Sequence, residues 1–104
     1  MTEAVKIAST SELAPGDRKR FEIDGRALIL FRIGDDYYVI DDLCTHDGEP
    51  LDEGELFDDQ VECPRHGARF NVRTGAAVRL PAIDPVPTHP VEVRDGDVLV
   101  RVDD

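Results

Sequence analysis

The sequence predicts an all-β protein: an antiparallel β-sandwich or barrel-like body carrying a smaller lobe built from two loops. Three observations lead there. Apolar residues alternate with charged ones or run in short blocks, and no window sustains a helical period over three turns. Gly and Pro interrupt the chain at short intervals. Asp-Gly pairs at 24–25 and 95–96 each separate two strand-like runs, where a two-residue hairpin turn needs residues that tolerate positive φ.

Taken in order, "RFEIDGRALILFRIGDDYYVIDD" reads as three strands. Phe21 and Ile23 alternate with charged residues, Asp24-Gly25 turns the chain, "ALILFRI" follows, and "GDD" leads into "YYVI". Near the end, "PVEVRDGDVLVRVDD" repeats the device around Asp95-Gly96. Between these hairpins the strands shorten to "ELFDD", "QVECP", "ARFNV" and "AAVRL". "LPAIDPVPTHP", with four prolines between 81 and 90, is too proline-rich for a central strand and reads as an extended connection. "TSELAPGDRKR" reads as a turn-bearing loop. The 104 residues therefore read as one domain, with a body from 1–41 and 81–104 and a lobe from 42–80.

Composition narrows the function. Twelve Lys and Arg against 23 Asp and Glu give a net charge of −11, which repels nucleic acid and disfavours an anionic membrane surface. That charge suits either a partner with a basic patch or a solvated acidic surface in a salty cell. The opening residues show no basic segment followed by an apolar run, and no stretch nears the roughly 20 apolar residues of a membrane span. The expectation is a cytoplasmic protein, where thiols stay reduced. With 6% aromatics and no Trp the core is thin, so a buried metal centre would add stability as well as chemistry.

The chemistry concentrates in two stretches, "LCTHDGEPL" and "CPRHGARF". Each cysteine of the chain stands beside a histidine: Cys44-x-His46, sixteen residues, then Cys63-x2-His66. A Cys44–Cys63 disulfide leaves the histidines unexplained, and a catalytic Cys–His pair has no use for a duplicate. A zinc tetrahedron of two cysteines and two histidines stays open, although the usual finger order is Cys, Cys, His, His. A two-iron cluster accommodates the alternation directly. Two facing loops each give one ligand to each iron, the thiolates holding one and the imidazoles the other, nearer solvent.

"CTH…CPRHG" resembles the Rieske iron–sulfur domain, and specifically the small Rieske-type ferredoxins of bacterial aromatic-ring dioxygenase systems. The resemblance runs along essentially the whole chain. It implies a Rieske-like fold, one [2Fe–2S] cluster, and Cys44, His46, Cys63 and His66 as its ligands. It further implies an electron carrier rather than an enzyme, working between a flavin-dependent reductase and a terminal oxygenase. Respiratory and photosynthetic relatives carry an extra cysteine in each loop, bridged over the cluster; here those positions are Glu49 and Arg65. Where those relatives place a Ser and a Tyr that donate hydrogen bonds, this chain has Ala68 and Phe70. Losing two donors to the more negative reduced cluster implies a potential toward the lower end of the Rieske range of about −150 to +300 mV.

Pro64 and Gly67, with Gly48 and Pro50 in the first loop, are expected to shape the backbone around the ligands. Arg65 is expected to point outward. His89, with no cysteine near it, is expected at the surface or a strand edge and outside the site. No Gly-rich nucleotide fingerprint and no second iron site accompany the motif. Two other readings keep the same residues: the small subunit of an assimilatory nitrite reductase, and a zinc-stabilised binding module.

Overall fold

Two-residue turns set the register of the strands. Asp24 and Gly25 adopt φ of 51° and 80° between paired Ile23 and Arg26, and Asp95 and Gly96 adopt 52° and 80° between Arg94 and Asp97. These left-handed pairs match the twist of an antiparallel ribbon. Gly34, at φ 62°, opens the third such turn, between Ile33 and Asp36. The computed structural model describes residues 4–45 and 48–102.

Among the described residues every regular element is a strand. They are β1 (Val5–Ser9), β2 (Arg18–Ile23), β3 (Arg26–Ile33), β4 (Asp36–Asp41), β5 (Leu56–Phe57), β6 (Gln60–Glu62), β7 (Arg69–Asn71), β8 (Ala77–Arg79), β9 (Thr88–His89), β10 (Val91–Arg94) and β11 (Asp97–Val100). They form three antiparallel sheets ordered β1-β11-β10, β2-β3-β4-β9 and β5-β6-β7-β8. No helix is long and apolar enough to cross a membrane.

The run Leu28-Ile29-Leu30-Phe31 has no polar alternation because β3 is buried on both faces, all four residues being inaccessible. Leu28 and Leu30, with Val39 of β4, pack on Ala8, Val98 and Val100 of the first sheet. Ile29 and Phe31, with Ile40, pack the other way, onto Leu51, Val61, Phe70, Cys44 and Cys63. The β2-β3-β4-β9 sheet is thus the middle layer, with β1 and the β10–β11 hairpin on one side and the Cys-bearing segment on the other. The third sheet is anchored by Val61 and Phe70, directly opposed in the β6–β7 ladder and fully buried.

The proline-rich connection returns across this layer. Ala82 and Val86 are buried against it, and Val86 N donates to Gly75 O at 2.8 Å. Thr88 and His89, between Pro87 and Pro90, then make a two-residue edge strand on β4, the position in a sheet that tolerates proline.

Two sequence expectations change. β1 falls in the N-terminal stretch to which the sequence assigns no strand of its own, because a bulge between Lys6 and Ala8 breaks its alternation. His89 does lie on an edge strand, but it is buried rather than exposed. Its pairing opposite Val39 sets the ring beside Asp41 on the same face of β4, with Nε2 2.7 Å from Asp41 Oδ1. Arg26 donates to the same carboxylate through Nε at 3.1 Å and Nη2 at 2.9 Å, completing a His–Asp–Arg cluster inside the body.

The turn after the first Cys–His stretch is pressed against the second. A Cβ added at Gly54 would fall on the carbonyl oxygen of Glu62, closer than any real side chain allows, and within 3.0 Å of Leu51 O. Both obstacles are backbone. Gly54→Ala is therefore expected to destabilise the fold by about 1–3 kcal/mol, read from urea midpoints at an unchanged slope.

Candidate metal centre

The two Cys–His stretches fold into the same loop. In each, the cysteine N–H donates to the carbonyl five residues on, Cys44 to Glu49 at 2.7 Å and Cys63 to Ala68 at 2.6 Å. In each, the glycine four residues on donates back to the cysteine carbonyl, Gly48 to Cys44 at 2.7 Å and Gly67 to Cys63 at 3.1 Å. Both glycines sit at positive φ, 79° and 75°, a conformation that L side chains rarely adopt. The glycine spacing in the sequence is thus the signature of one backbone frame used twice.

Within this frame the thiols turn inward. Cys44 and Cys63 are buried, 0% and 1% exposed, and belong to one core cluster with Leu51, Val61, Ala68 and Phe70. Neither takes part in a disulfide. His66 is exposed at the tip of the second loop. His46 lies outside the described residues. Among the described residues no three His, Cys, Asp or Glu side chains gather closely enough to hold a single metal ion. Two core-facing thiols on separate, matching loops suit a group larger than one ion.

Polar contacts tie the loops to their surroundings. Glu49 Oε1 accepts from Arg65 Nη1 at 3.4 Å, linking the first loop to the second. Thr45 Oγ1 donates to Asp84 O at 2.7 Å, which lays the proline-rich segment beside the first loop. That segment presents Leu80 and Ile83 to solvent, 72% and 78% exposed. At the base of the second loop, Glu62 receives Arg69 Nε at 3.0 Å and Arg79 Nη1 at 3.3 Å. The Arg69 guanidinium also lies 4.0 Å from the Phe57 ring centroid.

Residues 3–90 match the Rieske [2Fe-2S] domain model. The chain belongs to the Rieske [2Fe–2S] domain family. It is 42% identical over 98 residues to the ferredoxin component of biphenyl 2,3-dioxygenase from Rhodococcus jostii strain RHA1, covering 94% of this chain and 92% of that one. The solved ferredoxin of carbazole 1,9a-dioxygenase from Nocardioides aromaticivorans IC177 superposes with a TM-score of 0.88 at 38% identity, over 93% of this chain and 95% of that one. A ferredoxin chain solved in complex with the oxygenase of carbazole 1,9a-dioxygenase superposes with a TM-score of 0.90, also at 38% identity, over 94% and 92% of the two chains.

One [2Fe–2S] cluster is accordingly the cofactor of this Rieske chain. The donor chemistry fits it: two buried soft thiols and an imidazole at the solvent edge. Not every residue that shapes this Rieske site is legible in the sequence. Glu49 and Arg65 are legible there only as positions without cysteine, yet they face each other and pair. Arg18 and Arg20 of β2 and the buried Asp42 reach the first loop from outside the motif, and long-range contacts of this kind leave no local spacing to read. Hydrogen bonding to Asp42 pushes the Arg20 guanidinium above its ordinary pKa.

The Glu49–Arg65 pair is exposed, at 41% and 60% of its side-chain surfaces. A double-mutant cycle of Glu49→Ala and Arg65→Ala is expected to give a coupling of no more than about 1 kcal/mol at low salt. The coupling should vanish near 1 M salt, where the screening length shrinks to about 3 Å.

Proposed function

We propose that this Rieske protein is the ferredoxin component of a multicomponent dioxygenase, taking single electrons from a flavin-dependent reductase and delivering them to a terminal oxygenase in the cytoplasm. The observation that carries the reading is similarity along nearly the full length of both chains to ferredoxin components of such systems. The chain acts as one domain, with its body at 1–41 and 81–104 and its cluster lobe at 42–80. Cys44 and Cys63 would hold one iron of the cluster, and His46 and His66 the other. The cluster supplies one-electron chemistry at a protein-saturated centre, with no coordination position left for substrate.

The chain's own residues do the rest. The buried thiols keep one side of the site dry, and exposed His66 gives an edge through which an electron can leave. Leu80 and Ile83, in the segment that Thr45 ties to the first loop, offer exposed apolar contact. Beyond it the surface is acidic, which suits basic partners and speeds their encounter at low salt.

Ala68 and Phe70 are both fully buried in one cluster with the thiols, so these two positions offer no hydroxyl. A cluster held by two thiolates and two imidazoles would supply one-electron chemistry in which reduction adds a negative charge. Buried apolar side chains at 68 and 70 would oppose that charge and keep the potential low for a Rieske centre.

Three measurements test this reading. The purified protein should be coloured, give an EPR signal on reduction, and restore turnover to a matched reductase and oxygenase. A colourless protein with stoichiometric zinc would end the proposal. Ala68→Ser should raise the potential by roughly 60 mV if its hydroxyl gains a hydrogen bond worth a tenfold change in a one-electron couple. His66→Cys should lower it, because a third thiolate adds negative charge; a cluster-bearing variant with an unchanged or higher potential would contradict the ligand assignment.

A further inference from the structure

The two loops share a frame but are closed differently at the base. The second rises from a ladder: Glu62 pairs with Arg69 and Val61 with Phe70 just outside Cys63 and Ala68. The first has no ladder, since no strand lies between the end of β4 at Asp41 and the start of β5 at Leu56 among the described residues.

A side chain occupies the place of the missing ladder. Asp42, two residues before Cys44, has a side chain that is 1% exposed. Its Oδ1 accepts from the backbone N–H of Leu51 at 2.7 Å and of Asp52 at 3.0 Å, and its Oδ2 accepts from Arg20 Nε at 2.9 Å. One carboxylate therefore joins both ends of the loop and ties them to β2. Arg18, on the same face of β2, completes the grip by donating to the carbonyls of Asp52 and Gly54. The clamped turn carries Leu51 into the core beside both thiols and Gly54 onto Glu62, the residue just before Cys63. The position of the first loop against the second is thereby set through the 51–54 turn.

We propose that Asp42 is the positioning residue of the first cluster loop, its carboxylate standing in for the strand pairing that holds the second. The role rests on the ligand assignment above insofar as Cys44 is what the loop positions. Asp41, its neighbour, is the built-in contrast: it is also buried and paired with an arginine, but its partners Arg26 and His89 lie within the middle sheet. Two adjacent aspartates thus serve opposite sides of the chain, one the body and one the loop. A carboxylate so fully hydrogen-bonded is costly to replace by an apolar group, because two loop N–H groups and a guanidinium then lose their acceptor.

The test compares Asp42→Ala, Asp42→Asn and Asp41→Asn in the cluster-bearing protein, reading iron release to a chelator well below the unfolding temperature. Asp42→Ala should release iron roughly tenfold faster or more, the cost of one lost buried hydrogen-bonding partner. Asp42→Asn keeps an acceptor for Leu51 and Asp52 but turns an amide N–H toward the Arg20 guanidinium, so its release should fall between wild type and Asp42→Ala. Asp41→Asn should lower thermal stability without speeding release. Wild-type release from Asp42→Ala, or equal acceleration in Asp41→Asn, would overturn the proposal. Should Asp42→Ala not fold, Arg20→Met takes its place and must speed release by at least about threefold. Amide hydrogen exchange at Leu51 and Asp52, faster in Asp42→Ala and Arg20→Met and unchanged in Asp41→Asn, reads the same anchor without the metal. That measurement separates a failed anchor from a failed ligand assignment.

Discussion

The burial of two cysteine side chains in the core between the middle sheet and the β5–β8 sheet is the contact on which the metal end of the molecule depends. Cys44 and Cys63 pack with Ile29, Phe31 and Ile40 from one side and with Val61 and Phe70 from the other. A reactive group held there is shielded from water and oxidants, and the residues that shield it are the same ones that close the fold. Stability and redox chemistry therefore draw on one set of contacts. In a chain with 6% aromatics and no Trp, a cluster binding at that seam adds to a core that is otherwise modest.

Around this seam the structure separates charge from the centre. Among the described residues, ten Lys and Arg side chains are engaged with acidic partners. The net charge of −11 consequently presents itself to solvent as a nearly one-signed field. Such a field works at long range on encounter, while the apolar Leu80 and Ile83 act only on contact. The pairs in which an arginine reaches a buried carboxylate have a different purpose, which is to position backbone. Arg20 with Asp42 holds a loop, and Arg26 with Asp41 and His89 holds a sheet.

Much of this was legible in the sequence, for identifiable reasons. Asp24-Gly25 and Asp95-Gly96 announced their hairpins because few residue pairs accept the backbone those turns require. The short strands of the 42–80 segment were legible from their alternation and their turns, though each is shorter than its apolar run suggests. β1 was hidden by a bulge that puts Lys6 and Ala8 out of step, and the burial of His89 on its expected strand edge was not legible because the carboxylate beside it comes from a distant strand. Of the candidate ligands, the structure brings Cys44 and Cys63 into one core and leaves His66 exposed.

What the sequence determined by itself is chemistry carried by local spacing: a cysteine, a histidine and a glycine within one turn of chain, written twice. Each hydrogen-bonded frame closes within six residues, from Cys44 to Glu49 and from Cys63 to Ala68, so neighbours along the chain suffice to specify it. Only the tertiary structure decided how the two frames face each other. That depends on a carboxylate at 42 reaching amides at 51 and 52, a guanidinium from β2, and a glycine pressed onto Glu62. None of these partners shares a periodicity with the others. They meet because the middle sheet is buried on both faces, which leaves the loop-bearing segment one side to pack against.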